Sequence, residues 1–332
     1  MATTEPILRV ADLTMHYQTR QGEVKAVDGV SFDLMPGQIL GLVGESGCGK
    51  TSVAMSLMRL LPDNARLIRG QIFIGGQDLL AMTEDEVRSY RWKRISMVFQ
   101  AAMNSLDPVY KVGDQIIEAI EAHDKDLPIK ESRERVASLF QLVGLEPGLM
   151  DRYPHEFSGG MRQRAVIAMA LACQPEIVIA DEPTTALDVI VQDRILRKLK
   201  DIQRDMNMSM VYITHDIAVV AEFTDRIGVM YAGKLVELGD TIDVFNNPIH
   251  PYTSALLSVF PSIRGEKRPL TPLEGEPPNL IDPPAGCRFH PRCPYATEVC
   301  QREEPPTVRR GSHWADCWNP LGDASVLSQA GT

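Results

Sequence analysis

The sequence predicts an α/β fold in which strands and helices alternate around a mostly parallel sheet, and three observations carry that reading. Short apolar runs of strand character recur between helix-like stretches up to about residue 260. One of these runs, residues 38–43, opens directly into a glycine-rich turn followed by helix-forming residues. Apolar residues make up 44% of the 332, enough for the core of one large domain with an appendage.

In chain order, residues 38–43 read as a buried strand and 50–61 as the helix after the turn. Residues 95–99 form a short strand ending at Gln100, and 131–143 an amphipathic helix. A helix over 160–172 opens at Ser158-Gly159-Gly160. Residues 177–180 form a buried strand closed by Asp181-Glu182-Pro183, and 210–214 a strand ending at His215. Residues 261–284 hold seven prolines in 24 positions, a density that forbids regular helix or sheet. The expected divisions are a main α/β domain over 1–260, a proline-rich linker or strap over 261–286, a cysteine-rich extension over 287–320 and a flexible tail over 321–332.

The net charge of -10 disfavours non-specific nucleic-acid binding, which needs a basic face. No apolar run approaches the roughly 20 residues that span a bilayer, and the first residues lack the basic-then-apolar order of a secretory leader. The expectation is a soluble or peripheral protein of the cytoplasm.

Three motifs carry chemistry. Gly44-Glu45-Ser46-Gly47-Cys48-Gly49-Lys50-Thr51 matches G-x-x-x-x-G-K-[ST]. Its glycines let successive N–H groups turn inward onto phosphate oxygens, and the following helix, with Ser52 next along it, adds its positive end. Lys50 is expected on the β- and γ-phosphates and the Thr51 hydroxyl on Mg²⁺. Second, the apolar strand before Asp181-Glu182 has the form that leaves Asp181 at its tip for Mg²⁺ and Glu182 beside the attacking water. Third, Ser158-Gly159-Gly160-Met161 offers a hydroxyl and bare N–H groups at a helix start, an anion site when it belongs to a series and otherwise an ordinary N-cap. The series is present: Gln100, Ser158-Gly159-Gly160, Asp181-Glu182, Thr185-Ala186-Leu187-Asp188 and His215 follow in order.

In that order, over roughly residues 7–260, the chain resembles the ABC-transporter ATPases. The resemblance implies a P-loop NTPase of ABC type: a RecA-like core with an antiparallel β subdomain and a helical subdomain. It implies that Tyr17 stacks on adenine and that Gln100 touches Mg²⁺ and water. It implies that Ser158, Gly159, Gly160 and Met161 contact the γ-phosphate held by a second subunit. Asp188 lies at the dimer seam, and His215 holds the γ-phosphate beside Glu182. The signature departs from Leu-Ser-Gly-Gly-Gln at Phe157 and Met161. That form, with the stretch from Phe99 to Pro108 and His250-Pro251-Tyr252-Thr253, resembles the dipeptide and oligopeptide permease ATPases, a group that includes nickel and oligosaccharide importers. The resemblance implies a second, homologous ATPase subunit, two transmembrane permease subunits, an external substrate-binding protein and a place on the cytoplasmic face of the membrane. A soluble ABC ATPase acting on DNA or ribosomes is the contrasting reading. The short interval between Thr51 and Ser158 and the single nucleotide domain speak against it.

Four of the six cysteines, Cys287, Cys293, Cys300 and Cys317, crowd the C-terminal region with spacers of 5, 6 and 16 residues. Disulfides do not suit a reducing compartment, and zinc sites favour closer pairs, with His290 and His313 as substitute ligands. Four thiolates on a loop-rich scaffold suit a [4Fe–4S] cluster, and the same subfamily resemblance implies one; zinc and free thiols remain alternatives. Distance along the chain from the phosphate motifs suggests a structural role for this segment. Cys48, inside the phosphate loop, is expected to make the protein sensitive to alkylation.

Overall fold

The computed structural model describes residues 5–100, 105–184, 187–258, 274–322 and 325–326. The expectations for 101–104, for Thr185 and Ala186, for 261–273 and for most of the last ten residues lie outside these.

The elements run as follows. Strands β1 (Leu8–Thr19), β2 (Gly22–Leu34) and β3 (Ile39–Val43) precede helix α1 (Lys50–Leu57). Then come β4 (Ala65–Ile74), β5 (Gln77–Asp78), α2 (Glu84–Tyr90) and β6 (Ile95–Val98). Helices α3 (Val112–His123), α4 (Ile129–Leu142) and α5 (Gly159–Ala170) lead to β7 (Ile177–Asp181). After α6 (Val189–Asp205) and β8 (Ser209–Ile213) come α7 (Ile217–Phe223), β9 (Arg226–Tyr231) and β10 (Lys234–Asp240). Helices α8 (Thr241–Asn246) and α9 (Pro251–Ser258), then α10 (Glu298–Arg302), β11 (Thr307–Arg310), β12 (His313–Asp316) and β13 (Ser325–Val326), complete the described chain.

These elements fall into two compact units. One takes Leu34–Gln38 and Ile74–Tyr212, the other Leu8–Asp33, Ile39–Phe73 and the chain from Ile213 onward. In the first, β8, β7 and β6 lie side by side, with β6 and β7 parallel from Ile95 against Ile177 to Val98 against Ala180. Both strands are buried throughout, as uninterrupted apolar runs require of a parallel sheet. In the second, β2, β1 and β4 form one sheet, and the order β13-β11-β12-β10-β9-β3 forms part of another. Strands β3 and β9 run parallel, and β9, β10, β12 and β11 follow in antiparallel steps.

Two expectations need correction. Helix α1 stops at Leu57, four residues early: Arg59 turns to φ 49, a left-handed closure, and Pro62 cannot extend the helix. The cysteine-rich extension expected after a linker or strap over 261–286 is packed into the second unit and does not form a compact unit of its own. Glu237 in β10 pairs with Ala315 in β12, and Phe289 is buried in one core with Val43, Val229, Tyr231 and Tyr252. The described part of the strap, from 274, carries no helix or strand before the turn at residue 290, and the Leu280 carbonyl accepts the Lys25 N–H at 2.9 Å.

Candidate nucleotide site

In the second unit the phosphate loop joins β3 to α1. Gly44 sits at φ 149 and Gly49 at φ 107, where a side chain is strained. A Cβ at Gly44 would lie 2.1 Å from the Met230 carbonyl oxygen, and one at Gly49 the same distance from that of Ala26. Both glycines are therefore demanded by close backbone approach. Lys50 is buried and folds back on its own loop, its Nζ donating to the carbonyls of Gly44 (2.7 Å) and Glu45 (3.0 Å). Cys48 is 4% exposed, and burial holds its thiol above the usual range, with Lys50 opposing. Ser46, Gly47 and Thr51 are exposed. Tyr17 in β1 is half-buried, and its hydroxyl lies 3.2 Å from Ser52 Oγ on α1. His215 is exposed at the end of β8, beside Asp216, which caps α7 through Ala218 N–H.

In the first unit Gln100 and Glu182 follow the ends of the parallel neighbours β6 and β7. The Gln100 amide nitrogen donates to the Glu182 carboxylate at 3.0 Å. Asp181, the last residue of β7, is 1% exposed. Glu182 takes φ 47, a conformation a glutamate adopts only at a cost. Ser158 caps α5, its Oγ accepting the Met161 N–H at 3.3 Å, and Asp188 caps α6 through the Val191 N–H at 2.9 Å. Ser158, Gly159, Gly160 and Asp188 line one open cavity of about 300 Å³ with Arg164 and Arg194, two cations that suit an anionic ligand.

Three residues near the phosphate loop carried no assignment in the sequence. Tyr252 accepts the Glu45 N–H at 3.0 Å through its hydroxyl, Arg292 forks onto the Glu45 carboxylate, and Arg288 holds the Ala232 carbonyl. Only Tyr252 had a signal, inside the His250-Pro251-Tyr252-Thr253 stretch. The four C-terminal cysteines are free of disulfides. Burial, with the neighbouring sulfurs adding to it, pushes Cys287 up to about 11 and Cys317 to about 12, and raises Cys293. Among the described residues, no group of three or more His, Cys, Asp or Glu side chains is arranged to hold a metal ion, so neither the zinc nor the iron–sulfur expectation is supported.

The loop, the paired Gln100 and Glu182, and the serine-capped α5 define an ATP-hydrolysing component of the ABC transporter class. Residues 27–185 match the family model described as ABC transporter, and 236–300 match the one described as oligopeptide/dipeptide transporter, C-terminal region. The chain is 48% identical to the dipeptide transport ATP-binding protein DppD of Bacillus subtilis, over 98% of both chains. It is 42% identical to the oligopeptide transport ATP-binding protein OppD of Escherichia coli, over 96% of this chain and 94% of that one. Among solved structures, the ATP-binding cassette MJ0796, a dimer bound to ADP and Pi, superposes with a TM-score of 0.64 at 26% identity, covering 70% of this chain and 98% of its own. The chain belongs to the dipeptide and oligopeptide transport ATP-binding proteins of the ABC transporter family. Among the described residues no helix is long and apolar enough to cross a membrane.

Proposed function

We propose that the chain is the motor that drives import of dipeptides and short oligopeptides, working as a peripheral subunit on membrane permease components. The observation that carries the reading is the phosphate loop, where a Cβ added at Gly44 or Gly49 would come within 2.1 Å of a backbone carbonyl oxygen. The names and near full-length similarity of the relatives support the peptide class. In this reading the N–H groups of residues 44–52 and Lys50 bind the phosphates of ATP, and Tyr17 supports the adenine. Oxygen donors of Thr51 and Asp181, with Gln100, suit Mg²⁺, which neutralises charge on the phosphates when bound. Glu182, steadied by Gln100, orients water toward the γ-phosphate, and His215 steadies that phosphate. Ser158, Gly159, Gly160 and Met161 serve the nucleotide of a second, homologous ATPase subunit across a seam containing Asp188, and two permease subunits receive the motion. The permease takes its substrate from an external binding protein.

The four thiols form the second part of the proposal. The spacing of Cys287, Cys293, Cys300 and Cys317 and the resemblance to the peptide-permease ATPases favour a [4Fe–4S] cluster over zinc or free thiols. Such a cluster would bring thiolate-ligated iron and cross-link the segment. Iron and acid-labile sulfide in anaerobically purified protein test it; zinc, or neither metal, overturns it.

The transport reading is tested by reconstitution. With partner subunits in vesicles, hydrolysis should rise when the binding protein carries a short peptide. A rise with nickel or an oligosaccharide and none with peptide would reassign the substrate.

A further inference from the structure

The segment bearing Cys287 and Cys293 is tied to the phosphate loop in three places, all within one compact unit. Arg292 makes the first tie. Its two terminal nitrogens donate to the two carboxylate oxygens of Glu45, at 2.7 and 2.9 Å, and its Nε donates to the Glu274 carbonyl at 3.0 Å. The Arg292 side chain is only 6% exposed, so this is a fork held in place by packing and not a loose surface pair. Phe289 makes the second. It is 1% exposed, with ring centroids 5.2 Å from Tyr231 and 5.3 Å from Tyr252, and the Tyr252 hydroxyl accepts the Glu45 N–H. Arg288 makes the third. It donates to the Ala232 carbonyl and the Asp28 carboxylate, and the next residue, Gly233, donates its N–H to the Cys48 carbonyl at 2.9 Å. Glu45 is thus held at its side chain by Arg292 directly and at its backbone by Tyr252, whose ring packs on Phe289, and Cys48 by a turn that Arg288 braces.

This arrangement answers an electrostatic problem. A carboxylate inside an anion-binding loop repels the ligand unless it is neutralised and held aside. Arg292 does both. We propose that residues 287–293 are a latch on the phosphate loop, with Arg292 as the residue that positions Glu45, so that nucleotide affinity and the order of the cysteine segment are linked. The inference rests on the loop's being the ATP site. Linkage is reciprocal: whatever the latch adds to ATP affinity, bound ATP returns as order in the latch.

The test uses the full chain and a non-hydrolysable ATP analogue with Mg²⁺. Arg292→Ala should weaken binding about tenfold, within the usual range of coupling between sites. In a Glu45→Gln background the same substitution should change affinity far less, because the charge it neutralises is gone. Amide hydrogen exchange over 287–293 should slow on adding the analogue to the native chain and stay unchanged in Arg292→Ala. Arg292→Lys, which keeps the charge but loses the fork, should fall between, and serves if the alanine variant does not fold. Equal affinities, or the same loss with and without the Glu45 carboxylate, overturn the latch. A native chain that fails to bind the analogue at all overturns the ATP reading and the latch with it.

Discussion

At the residue scale, the site concentrates strain and charge where chemistry is expected. Glu182 holds φ 47 directly before Pro183, a conformation that costs on the order of 1–3 kcal/mol, and its carboxylate accepts the Gln100 amide at 3.0 Å. Glu182→Gln keeps the shape and removes the base. Phosphate release should fall roughly 10²- to 10⁴-fold while ATP still binds, and turnover near the native rate would remove Glu182 from the role. Cys48 shows where motif reading reaches its limit. The sequence suggests a reactive thiol, whereas the structure buries it and raises its pKa. Maleimide labelling of Cys48 should therefore be slower at pH 7 than for a free thiol and should accelerate as pH rises; fast labelling at pH 7 would contradict that burial. Gln100 and Glu182 were legible because their strands and spacing announce them. Arg292 was not, because a contact spanning 247 positions leaves no local pattern.

At the element scale, two helix starts do more than begin a helix. Ser158 caps α5, so Ser158→Ala should cost about 1 kcal/mol of stability, read by denaturant unfolding. Ser158→Asp keeps a capping oxygen but brings negative charge to the proposed anion site, so on that reading it should restore the stability and still abolish hydrolysis in the assembled motor. A variant that regains both would mean that Ser158 is only a cap. Ahead of α9, Glu237 in β10 is wholly buried and accepts the N–H groups of Ile249 (2.7 Å) and His250 (2.9 Å), with His313 Nε2 2.6 Å away. His250 Nδ1 in turn accepts the Tyr252 N–H at 3.0 Å and so is unprotonated there. Burial pulls His250 down to about 4, with Glu237 opposing. Because the unfolded chain then binds the proton more readily, this contribution is intact above about pH 6.5 and is lost as pH falls toward 4, by about 3 kcal/mol. His250→Asn, which offers an oxygen in place of Nδ1, should flatten the acid limb of stability against pH; an unchanged limb would place the titration elsewhere. The strand and helix periods that identify β3, β7 and α5 are local, whereas the joining of β12 to β10 depends on the strap's path and could not be read from composition.

At the scale of the whole molecule, the proposed second ATPase subunit needs a docking face, and the start of α6 suits one. Val189 and Ile190 open α6 beside Asp188 and are 80% and 73% exposed. β-Branched apolar side chains standing in water at a helix start, next to a cavity lined by Ser158 and Arg194, suit the centre of an interface better than a free surface. If ATP draws a second ATPase subunit onto this face, Ile190→Glu should leave thermal unfolding of the isolated chain nearly unchanged, since a side chain so exposed contributes little to the fold. The same substitution should abolish nucleotide-dependent association with the partner subunit, because a buried unpaired carboxylate there would cost several kcal/mol. Light scattering of the mixed subunits with ATP, in a Glu182→Gln background expected to hold the closed form, reads the association directly. Undiminished association in the Ile190→Glu variant would move the seam away from α6, and with it the role assigned to Asp188.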